Sequence, residues 1–174
     1  MPITKKVNYN TPKILMNMWG FKKNKSERDQ FARTPKALYD QLNEEFLFDF
    51  DPCPVNPTFD GLLIDWKVRN YVNPPYDSIA KWLDKALTES KSGRTSVFLI
   101  PFKPSTKYWH KYIIGNPQVE IRAIEGKVTF EPYTKPAPFD CAIVIIRPEQ
   151  PTNHEQNRET GNGSNSSKKE NTIM

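Results

Sequence analysis

Apolar residues recur near the start of the chain at a spacing that predicts a helix. Leu38, Leu42 and Phe46 follow Thr34 and Pro35 at four-residue steps, so they share one face of a helical segment. Threonine followed by proline is typical of a helix start, with Thr34 as the cap and Pro35 at the first helical position. We therefore expect this helix to begin at residues 34–35 and to bury its apolar face.

The central part of the chain predicts a second helix between short strands. Residues 46–50 alternate phenylalanine with leucine and aspartate, and residues 71–72 are an apolar pair; each indicates a short strand. A helix starts near residues 77–78 and ends at Gly93, with its apolar residues on one face. Residues 96–100 form a mostly apolar run, as expected of a strand that is covered on both faces.

The C-terminal half predicts one more helix and three strands. The helix starts at Ser105 and ends at Gly115. Residues 119–124 and 127–130 flank a Glu-Gly pair and predict a hairpin, and the apolar run 141–146 predicts a last buried strand. Strands that alternate with helices up to a final antiparallel portion predict an α/β sandwich, with a mostly parallel sheet and antiparallel C-terminal strands.

Composition excludes several classes of protein. The 174 residues are 37% hydrophobic and 26% charged, which suits a domain that needs no disulfide or metal to fold. Two cysteines and two histidines exclude a zinc module and a disulfide framework, so we expect no metal. No apolar run is long enough for a transmembrane helix, and residues 1–10 lack an apolar signal core. We expect an intracellular, cytoplasmic protein without a membrane partner, monomeric by default.

Charge divides the chain into three parts. Residues 1–36 carry nine Lys or Arg against two acidic residues, which predicts a basic arm over residues 1–30 that binds a polyanion. Residues 151–172 contain no hydrophobic residue, so residues 149–174 are predicted to be a disordered polar tail. The folded domain is expected over residues 31–148.

The sharpest chemical signal is the sequence Asn73-Pro74-Pro75-Tyr76, between a predicted strand and a predicted helix. The two prolines stiffen the loop and leave carbonyls free to accept, the asparagine adds an acceptor oxygen, and the tyrosine offers a flat face. An exocyclic amine on a planar ring needs this combination, and a base in a duplex must first be flipped out to reach it. A rigid turn without chemistry is the alternative.

This loop resembles the signature of S-adenosylmethionine-dependent amino-methyltransferases. The wider pattern resembles the phage-type, Dam-like DNA N6-adenine methyltransferases over about residues 31–147. Besides the loop, the similarity rests on these pieces in order: Thr34-Pro35, residues 48–53, residues 60–62, Trp66, residues 98–101, Trp109, residues 126–130 and the closing strand. The resemblance implies an abbreviated Rossmann-like class I methyltransferase fold that acts on DNA, with S-adenosylmethionine as methyl donor and without a metal.

The resemblance also implies roles for residues. The catalytic loop would be Asn73-Pro74-Pro75-Tyr76, with Asn73 and the Pro74 carbonyl accepting from the adenine amine and Tyr76 stacking on the flipped base. Asp51 is the first choice for the donor's ammonium group or a ribose hydroxyl. The full set expected to line the donor pocket is Thr34, Pro35, Asp49, Asp51, Pro52, Cys53 and Asp65.

Three other functions stay open from the sequence: methylation of a protein glutamine, methylation of cytosine N4, and a non-catalytic nucleic-acid-binding protein with a degenerate donor pocket. The last is favoured by the absence of a glycine after the first acidic strand, where the chain reads Asp51-Pro52-Cys53-Pro54. The stretch from Cys53 to Tyr71 is too short for the strands and helices of the full fold. Residues 1–30 and 131–139 are the only candidates for reading the target sequence.

Overall fold

The computed structural model describes residues 32–149, which form one sheet with helices on both of its faces. In chain order the elements are α1 (Lys36–Phe46), β1 (Arg69–Val72), α2 (Ile79–Ser90), β2 (Thr95–Pro101), α3 (Lys107–Tyr112), β3 (Val119–Ala123) and β4 (Cys141–Ile146). The predicted arm and almost all of the predicted tail lie outside the described residues, so the division into arm, domain and tail stays a prediction.

The sheet has the strand order β1-β2-β4-β3. Only β1 and β2 pair in parallel, because β4 runs antiparallel to both of its neighbours. The α/β class is confirmed, but the expectation of a mostly parallel sheet is wrong. The connection from β3 to β4 contains no helix of the kind that a parallel crossover needs, so the last strand returns in the opposite direction.

Two predicted strand assignments are wrong. Residues 127–130 do not pair with β3; the partner of β3 is β4, with Ile121 opposite Val144. Val128 and Phe130 lie in a loop that pairs with none of the described strands. Their side chains are nevertheless buried in the core. Residues 46–50 form no regular strand either: α1 ends at Phe46, and a single parallel bridge joins Phe50 to Asn70.

The core lies on both faces of the sheet. Because strand side chains alternate between faces, one set from β1, β2 and β4 packs under α2 and α3 and the other under α1. The first set includes Val72, Phe98, Ile100, Val144 and Ile146, which contact Trp82, Leu83 and Trp109. The second set includes Tyr71, Val97, Leu99, Ile143 and Ile145, which contact Leu42 and Phe46.

The predicted helices are confirmed, with small changes at their ends. Gly93 and Gly115 have φ of 78° and 76° and follow α2 and α3 closely, as expected of glycines past a helix end. The cap of α3 is Thr106 rather than Ser105. The longest of the helices in residues 32–149 has 12 residues, and none of them is suited to cross a membrane.

Candidate active site

The two chemical motifs of the sequence lie side by side at the carboxyl end of β1. The Tyr71 N–H donates to the Phe50 carbonyl over 3.0 Å, so the segment that ends at Phe50 runs parallel to β1. Asp51 and Asn73 therefore follow two adjacent parallel segments and lie at the same end of them. This is the edge at which α/β sheets bind their ligands.

A cavity of about 570 Å³, here called the first cavity, opens at this edge. Its walls come from three segments that are distant in the chain, together with side chains from α1 and α2. Six of the predicted site residues line it: Thr34, Asp51, Pro52, Cys53, Asn73 and Pro75. The structure thus brings most of the predicted donor pocket together with the start of the catalytic loop.

Asp51 is the carboxylate of the first cavity whose chemistry is most altered by its surroundings. One of its oxygens accepts the Cys53 N–H over 2.8 Å. Burial raises the pKa of Asp51 from 3.8 to about 6, against the lowering effect of that hydrogen bond. Burial also raises the pKa of the Cys53 thiol to about 12, so this thiol stays protonated near neutral pH. The ionised form of a desolvated carboxylate in a cavity is stabilised by a hydrogen-bond donor or a cationic group of a ligand.

Asn73 is oriented by a hydrogen bond across the chain. Its Nδ2 donates to the Ala32 carbonyl over 2.8 Å, which leaves Oδ1 as the acceptor of the amide. No group in residues 32–149 donates to Oδ1 or to the Pro74 carbonyl, whereas the Pro75 carbonyl accepts from Ser78 over 3.1 Å. Asn73 and Pro74 thus offer two acceptor oxygens close together in the chain.

Tyr76 faces a different cavity. This second cavity, of about 370 Å³, is lined by Ala32, Tyr76, Phe130 and residues 133–139. The Tyr76 ring contacts Phe139 and Phe130 edge to face, with ring centres 5.5 Å and 6.4 Å apart. Because Ala32 lines both cavities and receives the Asn73 hydrogen bond, the Asn73–Tyr76 loop lies at the boundary between them.

Three predicted donor residues do not line the first cavity. The Asp49 carboxylate accepts the Arg69 N–H over 2.9 Å and lies 3.7 Å from the Arg69 guanidinium, because alternate side chains of an extended segment point to opposite sides. Asp65 is exposed on the loop before β1. Pro35 is the cap residue of α1, and its carbonyl accepts the Tyr39 N–H.

Thr34 does not cap α1, contrary to the prediction. Its hydroxyl lies 2.5 Å from the Tyr71 hydroxyl, and the helix start has no side-chain cap hydrogen bond. The pKa of Tyr71 is raised mainly by burial. Thr34 therefore ties the chain before α1 to the end of β1, at the wall of the first cavity.

Sequence reasoning missed two residues of the first cavity. Arg33 is the only cationic side chain among the described residues that line it, and its proximity to Thr34 was the available signal. Gly61 also lines it, and a Cβ there would lie only 1.9 Å from the Pro52 carbonyl oxygen. Gly61 therefore allows two backbone segments to approach closely beside Asp51. This glycine stands ten residues after Asp51, and not directly after the acidic segment as in the family pattern.

The acceptor oxygens of Asn73 and Pro74 thus lie in the loop between two cavities, one of which contains the desolvated Asp51 carboxylate. The chain matches the family model of DNA N-6-adenine-methyltransferase (Dam) over residues 20–162, and it belongs to this family. No curated protein matches the sequence. Family membership makes the chain a methyltransferase that acts on the N6 amine of adenine in DNA. Within residues 32–149, no His, Cys, Asp or Glu residues cluster as a metal site would require.

Proposed function

We propose that the first cavity binds S-adenosylmethionine as the methyl donor of this DNA adenine methyltransferase. Its volume of about 570 Å³ lies within the usual range for small-molecule sites. The donor carries an ammonium group, a carboxylate and ribose hydroxyls, and the cavity offers complementary groups. Asp51 accepts from the ammonium or a ribose hydroxyl, and Arg33 pairs with the carboxylate. Because Gly61 has no side chain, its backbone packs directly against the Pro52 carbonyl beside Asp51.

The acceptor adenine is proposed to enter from the second cavity, flipped out of the duplex. There the Tyr76 ring provides a stacking face, supported by Phe130 and Phe139. The exocyclic amine then reaches the boundary between the cavities, where Asn73 Oδ1 and the Pro74 carbonyl each accept one of its hydrogens.

These two acceptors prepare the amine for transfer. Holding both hydrogens turns the nitrogen lone pair away from the ring plane and towards the first cavity. S-adenosylmethionine supplies a methyl group on a positively charged sulfur, and the sulfur keeps the electron pair of the broken bond. Asn73 and Pro74 stabilise the positive charge that develops on N6, because both present oxygen dipoles to it. The surplus proton leaves to water.

The orientation of Asn73 is the observation that carries this proposal. Its Nδ2 is already bound to Ala32, so the acceptor oxygen is fixed before substrate arrives. Ala32 also lines both cavities, and this supports an acceptor position between donor and base.

The test is methyl transfer from labelled S-adenosylmethionine to unmethylated duplex DNA, with separation of the digested nucleosides. Wild-type protein should label N6-methyladenine alone. Asn73→Ala should lower transfer by at least about 100-fold, as loss of one preorganised contact to a developing charge does. Its affinity for the donor, measured by calorimetry, should stay within a few-fold of wild type.

Other results would contradict specific parts of the proposal. Label on cytosine would show that the acceptor is wrong. A parallel collapse of donor affinity in Asn73→Ala would show that this side chain belongs to the donor site. Absence of donor binding to wild-type protein would remove the first cavity as the donor site.

A further inference from the structure

Residues 131–139, here called the proline loop, form most of the wall of the second cavity. The loop joins the buried Phe130 to the start of β4. Its residues 133–139 line the cavity, and Tyr133 does so while 45% of its surface remains exposed. A side chain that borders both the cavity and the solvent can contact the nucleotide that links a base bound in the cavity to the rest of the DNA.

The proline loop is held in place by bonds to the domain. Glu131 and Arg33 exchange two backbone hydrogen bonds of 2.8 Å and 2.9 Å. The Tyr133 N–H donates to Phe130, and the Ala137 N–H donates to Val128 over 2.9 Å. Three of the nine residues are prolines, which restrict the backbone further. The backbone of the loop is therefore positioned before a ligand binds.

The chemistry of the loop suits an unstacked nucleotide. Lys135 is exposed and lines the second cavity, as Tyr133 does. A second cation, Lys103, lies with its Nζ 5.7 Å from the centre of the Phe139 ring. The acidic residues of this region, Glu131 and Asp140, stand at the two ends of the loop, outside the cavity lining. Aromatic rings with lysines beside them are the groups that proteins use to hold single-stranded bases and their phosphates.

Base flipping creates such a nucleotide. When the target adenine leaves the stack, its neighbour loses one stacking face, and the backbone between the two must pass the rim of the cavity that holds the flipped base. The proline loop lines this cavity, and Tyr133 and Lys135 are exposed residues of the loop, so they lie on the part of the surface that the neighbour has to pass.

We propose that the proline loop binds the nucleotide adjacent to the target adenine, with Tyr133 stacking on its base and Lys135 contacting its phosphate. The loop thereby contributes to the choice of sequence around the methylated base. This inference rests on the proposed function, since it takes the second cavity as the place of the flipped adenine.

The test measures kcat and KM on a pool of duplexes that contain adenine in every combination of neighbouring bases. The variants are Tyr133→Ala, Tyr133→Phe and Lys135→Gln. Lys91→Gln serves as the matched charge control, because Lys91 is exposed just after α2, near the opposite edge of the sheet. Donor affinity and melting temperature are measured for each variant.

Tyr133→Ala should raise KM for DNA about tenfold and flatten the preference for neighbouring bases, because the neighbouring base loses the aromatic ring on which it stacks. Tyr133→Phe should retain wild-type values, because the ring is kept. Lys135→Gln should lower the dependence of DNA binding on salt by about one phosphate contact without changing the preference. Lys91→Gln should do neither.

The proposal is overturned if Tyr133→Ala methylates the pool with wild-type KM and preference. It is also overturned if Tyr133→Ala loses donor affinity or melts at a much lower temperature while Lys135→Gln leaves the salt dependence unchanged, because the loop is then only structural. Failure of the proposed function looks different: wild-type protein itself would leave adenine unlabelled or would not bind the donor.

Discussion

Asp51 should make the free protein less stable at neutral pH. Burial raises its pKa to about 6, so the folded state holds a proton there more tightly than the unfolded chain, whose carboxyl has the ordinary value of 3.8. Stability contributed by this group is therefore lost as pH rises from about 4 to about 6, and the loss is complete above that range. The difference corresponds to about 3 kcal/mol, at about 1.36 kcal/mol for each tenfold change in proton affinity.

Replacing Asp51 with asparagine removes this cost while keeping shape and an acceptor for the Cys53 N–H. We expect Asp51→Asn to unfold at higher urea concentration than wild type at about pH 7, with a gain of up to about 3 kcal/mol that shrinks towards zero near pH 4. Asp49→Asn is the matched control. It removes one charge from the same segment, but at a carboxylate that binds Arg69 outside the cavity.

Donor binding gives the second half of this prediction. A cationic or hydroxyl-bearing donor prefers the ionised carboxylate, so wild-type affinity should fall about tenfold for each pH unit below about 6. Asp51→Asn should bind weakly and show no such dependence. A wild-type profile that stays flat, or an Asp51→Asn variant that is less stable than wild type at about pH 7, would refute the reasoning.

Three further outcomes follow from the structure. Gly61→Ala places a Cβ 1.9 Å from the Pro52 carbonyl oxygen, so donor affinity should be lost and stability should drop by about 1–3 kcal/mol; calorimetry with wild-type affinity would contradict this. Arg33→Gln should raise the Kd for the donor about tenfold at unchanged melting temperature, but should not alter the Kd for an analogue without the carboxylate. Trp109→Ala should cost about 3–5 kcal/mol in urea unfolding, because the indole is fully buried and donates to the Pro101 carbonyl; a change below about 1 kcal/mol would contradict it.

Local patterns predicted the elements of the fold well, but not their pairing. The bounds of β4 were predicted as residues 141–146, because a buried strand leaves a continuous apolar run. The partner of β3 was predicted wrongly as residues 127–130 instead of β4, since pairing depends on residues far apart in the chain. Val128 and Phe130 alternate as a strand would, yet they bury their side chains without a ladder. Alternation of apolar and polar residues indicates that every second side chain is buried, and a loop can bury them as well as a strand can.

The site shows the same division. Asn73 and Asp51 were predicted because each stands in a local sequence motif, and both line the first cavity. Arg33 and Gly61 were not assigned to the site from the sequence, because the parts they play depend on the folded path of the chain. Gly61 matters through the backbone of Pro52, and no local pattern connects those two positions.

The position of β4 has a consequence for how the protein is made. It is the last described strand to be synthesised, yet it lies between β2 and β3. Until residues 141–146 leave the ribosome, β2 has a partner on one side only, and its apolar residues remain open to aggregation. Its long-range contacts also predict slow folding. The domain should therefore fold in one late step, in which the two cavities and the proline loop acquire their shape together.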